Sequence, residues 1–381
     1  MRFAVTDEQE LLRRTLGAFA ARELAPAWLR ELDAQGLAPG PALLPKMAAL
    51  GFTALALPPA YGGLGGGAID MALMFEELGR HSLAASAILA GATGFGCEAL
   101  KRQGGEAHKR DCFEKLLRGA WSCAYAAAGP GCDPDAGVAT AHALPGDAGY
   151  RIDARQLAVS GARDAPCLIV AARSAKHEES LWLFAIEPDA PGIAWPAQQA
   201  GGRRGASTVQ AVDFNAVRLV PGALLGTRDA AEAAVQAALA HARRIEAASC
   251  VGCAQQAIDA AVRYAGERRQ FGQPIGKFQA ISHLLVDLQV EVDAARSLVY
   301  RAAWTADRGG DAATESALAH LAASEALLNT TSQAMRVYGG YGLTMEFDIQ
   351  RHFRDARWFI VGDGAARSQR DLVARAMGLA R

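Results

Sequence analysis

The stretch Glu267 to Gln279, Glu-Arg-Arg-Gln-Phe-Gly-Gln-Pro-Ile-Gly-Lys-Phe-Gln, holds the residue types best able to grip a ligand. An arginine fork can hold a phosphate through two parallel charge-assisted hydrogen bonds, and Phe271 offers a flat apolar face to a ring. Together they describe a place for a phosphorylated, aromatic cofactor. An ordinary interhelical turn with solvated arginines has the same composition, and local chemistry does not separate the two. Other reactive types point to bland roles. The seven cysteines are odd in number and irregularly spaced, which suits reduced thiols better than a disulfide framework. Cys250-x-x-Cys253 lies in an Ala-rich helical run without a second pair, so small core residues are expected there rather than a redox or zinc site. His241, His283 and His352 are isolated on helices, with no metal-type spacing to join them. Gly201-Gly202-Arg203-Arg204-Gly205 is read as a plain β-turn.

The elements that must position these residues follow from period and punctuation. Thr6-Asp-Glu-Gln9 has the form of a capping box, and Leu12, Leu16, Phe19 and Leu24 follow at near-helical spacing. Helices are expected around Ala42 to Leu50, from Ile69 to Arg80 and from Leu83 to Arg102. Leu57-Pro-Pro-Ala-Tyr-Gly-Gly interrupts them as a fixed loop. From Ala120 the pattern changes to short β segments: Trp121 to Ala127, Val138 to Leu144, Tyr150 to Ile152, Leu157 to Ser160, Leu168 to Ala172, Leu181 to Ile186 and Val209 to Leu219. After Pro221-Gly222, Ala230 to Glu267 lacks an internal proline and reads as one long helix. Phe278, Ile281, Leu285, Leu288, Val292, Ala295, Val299 and Ala302 form the apolar seam of the next. Ala312 to Tyr338 and Ala366 to Leu379 complete a bundle.

The fold class expected is α+β. An N-terminal α-helical domain (1–118) precedes a middle β-barrel or sandwich domain (119–222) and a C-terminal four-helix bundle (223–381). A chain of 381 residues has ample core for this. The formal net charge of −1, with no block of like charges, argues against nucleic acid or an anionic membrane as the main partner. The opening Met-Arg-Phe-Ala-Val-Thr-Asp has no apolar core of signal-peptide type. No other run approaches roughly 18 apolar residues, so a cytoplasmic protein is expected.

The α, β, α order with these loops resembles the acyl-CoA dehydrogenase family over essentially the whole chain. Leu57-Pro-Pro-Ala-Tyr-Gly-Gly is similar to the family's P-x-x-YGG loop, Glu76-Glu77-Leu-Gly-Arg80 to its EELGR helix, and Val212 to Pro221 to the strand leaving the β domain. Arg268 to Gln279 resembles the flavin-binding turn, Tyr338-Gly-Gly-Tyr-Gly342 the Gly-Gly loop, and Arg354-Asp-Ala-Arg357 the run into the catalytic segment. The resemblance implies non-covalent FAD, an acyl-CoA thioester and α,β-desaturation. It also implies an electron-transfer flavoprotein or similar acceptor and a dimeric or tetrameric assembly, homomeric or heteromeric. Tyr61 and Gly62-Gly63 are expected to fix the N-terminal domain.

Carried over position by position, the resemblance is uneven. Arg268 matches the arginine on the flavin pyrophosphate, Gln270 and Phe271 the adenine-side neighbours, and Gln279 the glutamine near the adenosine. Gly339 and Gly340 match the loop where backbone meets the dinucleotide, and Arg336 replaces the usual glutamine beside it. Arg243 matches the arginine that serves the substrate. The other half of the flavin site departs. Ala128-Gly-Pro-Gly-Cys-Asp-Pro-Asp135 stands where the family writes T-E-P-x-A-G-S-D, and Ala158-Val-Ser160 replaces W-I-T, keeping only the hydroxyl of Ser160. Asp363-Gly364-Ala365 replaces the catalytic E-G-T.

Asp363 is the candidate base, but its reach is shorter by roughly 1.5 Å, and misplacement of about 1 Å costs on the order of a hundredfold in rate. It is either a base in a reshaped site, as in the nitroalkane oxidases of this superfamily, or a relic. The position before Arg243, from which some members supply their base, is Ala242. In this family each FAD lies at a subunit interface, so this chain keeps what it lends its neighbour and loses what it would use itself. One subunit of a heteromeric α2β2 enzyme accounts for that sorting. A homomer using Asp363 and a catalytically inactive or flavin-free acyl-CoA-binding scaffold are the alternatives.

Overall fold

The computed structural model describes residues 5–37, 39–40, 42–120, 123–126, 139–145, 148–160, 167–176, 181–195, 209–227, 230–357, 359 and 366–379. For 123–126, 156–160, 209–211 and 366 only the backbone is described. The chain opens on α1 (Asp7–Glu23) through the expected capping box. The Thr6 hydroxyl accepts from the Gln9 N–H, and the Gln9 side-chain oxygen accepts from the Thr6 N–H. Then come α2 (Pro26–Ala34), α3 (Leu43–Ala48), α4 (Ala68–His81), α5 (Leu83–Thr93), α6 (Phe95–Gln103) and α7 (Glu106–Leu117). The run expected as helix from Leu83 to Arg102 is two helices, because the chain turns sharply at Gly94. A Cβ there would lie 2.4 Å from the Ala90 carbonyl oxygen. Contrary to the sequence reading, Leu83–Gln103 is long and apolar enough to cross a membrane by length and composition, with mean hydropathy 1.4. Yet 78% of that window is buried inside the protein, as in a core helix.

Among the described residues seven strands follow: β1 (Cys123–Ala126), β2 (Ala139–Ala143), β3 (Tyr150–Ser160), β4 (Cys167–Ser174), β5 (Leu181–Ile186), β6 (Ile193–Ala194) and β7 (Val209–Leu219). They form one sheet in the order β1-β4-β2-β3-β7-β6, with β5 on β4. A further pairing of Tyr125 with Ser160 brings β1 back to β3, so the sheet curls onto itself. The segments expected separately at Tyr150 to Ile152 and Leu157 to Ser160 are one strand. Polar residues between them are absorbed by two register shifts against β7. There Asp153 accepts from the N–H of Ala216, whose φ is 51°. Tyr150, Trp182, Phe184 and Phe214 fill the core of this unit.

The C-terminal part is built on α8 (Ala231–Glu267), 37 residues and about 55 Å long. Its small residues let other backbones approach. At the crossing with α4, a Cβ on Gly252 would sit 1.9 Å from the Glu76 carbonyl oxygen. A hairpin, β8 (Arg269–Gln270) with β9 (Gln273–Pro274), leads into α9 (Gln279–Asp307), α10 (Ala313–Tyr338), α11 (Ile349–Ala356) and α12 (Ala366–Ala376). On α9 the expected seam is buried from Leu285 to Ala302, whereas Phe278 and Ile281 stay half-buried beside the exposed hairpin. Glu76 fastens α9 to α4, accepting from Arg296 Nε at 2.8 Å and from the Tyr300 hydroxyl at 2.9 Å. The Gly63 loop is fixed as expected: a Cβ there would meet the Leu57 carbonyl oxygen at 2.0 Å.

Candidate functional site

Leaving α8, the Arg268 N–H donates back to the Tyr264 carbonyl at 2.8 Å, and Ile275 N–H donates to the Arg268 carbonyl at 2.8 Å. Between them Gln270 pairs with Gln273, leaving Phe271-Gly272 as a two-residue loop. Both residues have positive φ, 49° and 80°. This tight hairpin turn normally takes Asn-Gly, and a left-handed backbone costs a side-chain-bearing residue about 1–2 kcal/mol. Arg269 Nη2 donates to the Gly272 carbonyl at 3.0 Å and holds the turn closed. The strained residue is 92% exposed, its ring meeting only the edge of Phe278 at 6.2 Å among the described aromatic contacts.

Beside the turn lies a groove of about 580 Å³ lined by Tyr264, Arg268, Gln270, Gly339, Gly340 and Tyr341, among others. The Arg268 guanidinium lies 5.6 Å above the Tyr341 ring, and no carboxylate pairs with it among the described residues. Tyr264 stacks on Tyr338 at 4.2 Å, and the Tyr338 hydroxyl donates to the Ala260 carbonyl at 3.1 Å, which stiffens the wall. Gly339 closes α10 with φ 60° and ψ −138°, a backbone state that glycine alone adopts readily. A Cβ on Gly339 or Gly340 would meet nothing within 4 Å, so bare peptide faces open groove. A guanidinium fork, a bare backbone floor and an aromatic wall fit the phosphates and ring of a dinucleotide.

The structure thus brings together Arg268, Gln270, Gly339 and Gly340, with Phe271 at the adjoining tip. Gln279 starts α9, exposed beyond the groove lining. Arg336 is also exposed, and its Nη1 donates to Gln333 Oε1 at 2.7 Å, outside the lining. Ser160 is placed by its backbone at the end of β3. Asp363 and its neighbours, Ala128 to Asp135, and Gly201 to Gly205 lie outside the described residues.

Arg243, in the N-terminal half of α8, is buried, at 4% exposure. Around it the helix carries an internal polar layer. His241 Nε2 meets the Thr93 carbonyl at 3.1 Å, and burial pushes its pKa down to about 4. Burial alone would raise the nearby Glu98, but His241, Lys101 and Arg102 hold it down at about 2. Arg244, pushed down to about 10 by burial, donates to the Ser316 hydroxyl at 3.1 Å. One turn past Ala242, Glu246 Oε2 stands 3.2 Å from Nε2 of His320 on α10. Neither residue was singled out from sequence; the one signal was a lone acid within the Ala-rich run around Ile245 to Cys253.

Helix α11, which leads toward Asp363, is tied to the N-terminal helices. Buried Asp33 of α2 accepts from Arg354 Nη2 at 2.5 Å and from Gln350 at 3.3 Å, and Asp348 accepts from Arg30 at 3.0 Å. Burial would raise Asp33, but the hydrogen bonds from Arg354 and Gln350 hold its pKa below the usual carboxylate value. Of the other candidates, Cys250 and Cys253 are fully buried with their thiols pushed up by burial, as core residues would be. Cys253 Sγ lies 3.3 Å from Nδ1 of His352, also buried; His283 is exposed.

Helices, a curled sheet and a helical bundle thus carry, at the turn after α8, a groove whose residues suit a dinucleotide. Residues 6–120 match the profile of the acyl-CoA dehydrogenase N-terminal domain, and 232–378 that of the C-terminal domain. The chain is 33% identical to the probable acyl-CoA dehydrogenase YngJ of Bacillus subtilis (strain 168), over 98% of this chain and 99% of YngJ. It is similar to butyryl-CoA dehydrogenase from Megasphaera elsdenii at TM-score 0.88 and 26% identity, covering 99% of this chain and 100% of that one. The FAD complex of PigA matches at TM-score 0.89 and 25% identity, with full coverage of both chains at 100%. The chain belongs to the acyl-CoA dehydrogenase family.

Proposed function

We propose that this chain is an FAD-dependent, cytoplasmic acyl-CoA dehydrogenase subunit that works in a heteromeric pair. Its Arg268 to Gln279 turn and Gly339-Gly340 loop hold the adenine end of a flavin whose reacting ring lies in the partner's half-site. The observation that carries this reading is the open groove beside an exposed, strained Phe271. It contrasts with a sequence that has lost the ring-side hydroxyl and carboxylate at Ala128 and Gly129 and shortened the base at Asp363. Random decay would not sort losses by site.

FAD, when bound, supplies the acceptor for the β-hydrogen and its electron pair. This chain's contribution is binding and orientation. Arg268 neutralises pyrophosphate charge, which places the cofactor without costing reorganisation when the reaction occurs. Gly339 and Gly340 admit the dinucleotide to backbone contact, and Phe271 covers the adenine side across the interface. Tyr264 and Tyr338 keep the groove wall from collapsing. The partner would bring the T-E-P strand, the W-x-T strand and a glutamate that takes the α-proton. Electrons would leave through an electron-transfer flavoprotein or similar acceptor.

One feature favours a second reading: Asp363 is still a carboxylate, as a homomeric enzyme would need. Purifying the chain alone and together with the product of an adjacent gene of this type separates the two. The heteromeric reading expects acyl-CoA turnover from the pair and none from the isolated chain. Full turnover by the isolated chain, abolished by Asp363→Asn, would overturn it in favour of the homomer. A colourless complex that binds acyl-CoA would leave only the scaffold.

A further inference from the structure

Among the described residues Arg268 is the only charged side chain that lines the groove beside the hairpin turn. An arginine side chain is long and flexible, so a site that must grip phosphate binds more tightly when the guanidinium is already held in place. A carboxylate could hold it, but would compete with phosphate for the same N–H groups. An aromatic face attracts the charge and takes none of those hydrogen bonds. No carboxylate pairs with Arg268 among the described residues, and the face beneath its guanidinium is that of Tyr341, 5.6 Å away.

Tyr341 is braced from behind. Its ring meets the edge of Phe347 at 5.9 Å, and Phe347 in turn meets Tyr338 at 5.2 Å and Tyr264 at 6.0 Å. Those last two stack on each other, so the support reaches back to α8 and α10. The Tyr341 carbonyl accepts from the Thr344 N–H at 3.1 Å and from the Thr344 hydroxyl at 3.0 Å. A Cβ on Gly342 would lie 2.8 Å from the Met335 carbonyl oxygen, so the loop lies flush against the end of α10. The Tyr341 hydroxyl makes no hydrogen bond among the described residues, and the side chain keeps 48% exposure on the groove side. It is the ring that is held, with its face turned to the cation.

We propose that Tyr341 is a positioning residue for the flavin site: its ring seats the Arg268 guanidinium and holds it ready for the pyrophosphate of the dinucleotide. This rests on the reading that the groove takes the adenine end of FAD. The ring acts through Arg268 and not on the phosphate itself, because the face of an aromatic ring carries negative potential and attracts no anion. Without the ring the guanidinium is free to wander in solvent, and its ordering has to be supplied when the cofactor binds.

The test is a double-mutant cycle on Tyr341 and Arg268, read by fluorescence titration of FAD into the purified, flavin-stripped assembly. Tyr341→Leu should weaken FAD about two- to fivefold, the measure of an exposed cation–π contact. Tyr341→Phe keeps the ring and should restore the affinity. In an Arg268→Met background Tyr341→Leu should have no further effect, whereas a tyrosine that merely braced the groove wall would weaken FAD equally in both backgrounds. Unchanged affinity in Tyr341→Leu, failure of phenylalanine to restore it, or full additivity of the two substitutions would overturn the positioning role and leave the flavin reading intact. No FAD binding by the wild type, or affinity unchanged in Arg268→Met alone, would overturn both.

Discussion

Replacing Phe271 by asparagine should stabilise the isolated chain and weaken its hold on flavin. In the hairpin loop Phe271 has φ 49° and Gly272 has φ 80°, the two-residue turn for which Asn-Gly is the preferred pair. Relief of the left-handed backbone is worth about 1–2 kcal/mol. Against it stands the edge contact with Phe278 at 6.2 Å, worth about 0.5–1 kcal/mol and discounted because the ring is 92% exposed. The balance is a gain of about 0.5–1 kcal/mol in urea-monitored unfolding of the flavin-free chain. The same variant removes an aromatic face from the adenine side. Stacking of a base on an aromatic ring contributes about 1–3 kcal/mol, so FAD affinity of the assembly, read by fluorescence titration, should fall roughly tenfold or more. A loss of chain stability, or unchanged flavin affinity, would refute the assignment of Phe271 to an external ring.

Acid should destabilise the fold through its buried histidines. Burial holds His241 at about 4 and His352 at about 3, against 6.5 when unfolded. The unfolded chain therefore takes up protons that the folded one refuses, and stability falls as pH drops below 6.5. The slope is on the order of 1.4 kcal/mol per pH unit for each histidine until the folded values are reached, and His352→Asn should remove one of the two contributions in urea titrations. Gly252→Ala would press a methyl group onto the Glu76 carbonyl, 1.9 Å from the added atom, and should cost about 3 kcal/mol or split α4 from α8, seen in the same assay. Asp363→Asn should leave turnover by the two-chain complex unchanged, because the partner supplies the base; loss of turnover would assign catalysis to this chain.

Much of the architecture is written in period and punctuation. The unbroken Ala-rich run gave α8 to within a residue, because nothing in it stops a helix. The change to short Gly- and Pro-bounded segments marked the sheet. Tyr150 to Ser160 misled for a physical reason: polar residues inside a strand look like a turn, and only the bulges against β7 show that they are absorbed. Gly94 inside Leu83–Gln103 looked tolerable in a helix, and the sharp turn there depends on tertiary packing.

The site was legible where chemistry is local. Arg268, Gln270 and the Gly339-Gly340 pair are expected to meet phosphate by residue type, and the fold gathers them along one groove. Tyr264 and Thr344 joined the groove from positions with no motif-like signal, brought there by the packing of α8 against the end of α10. Glu246 and His320 lie on helices 74 residues apart and become a pair only through packing. Composition alone cannot show that a lone acid is the one residue between Ala238 and Ala254 to see solvent.

In the proposed heteromer this chain lends half a flavin site and keeps no complete one of its own. Counting flavin by absorbance against protein in the two-chain complex tests it directly. About one FAD for each pair of chains is expected, since only the partner's ring-side half-site is intact, and little FAD on the isolated chain. One FAD for every chain, or stoichiometric flavin on the isolated homomer, would contradict it.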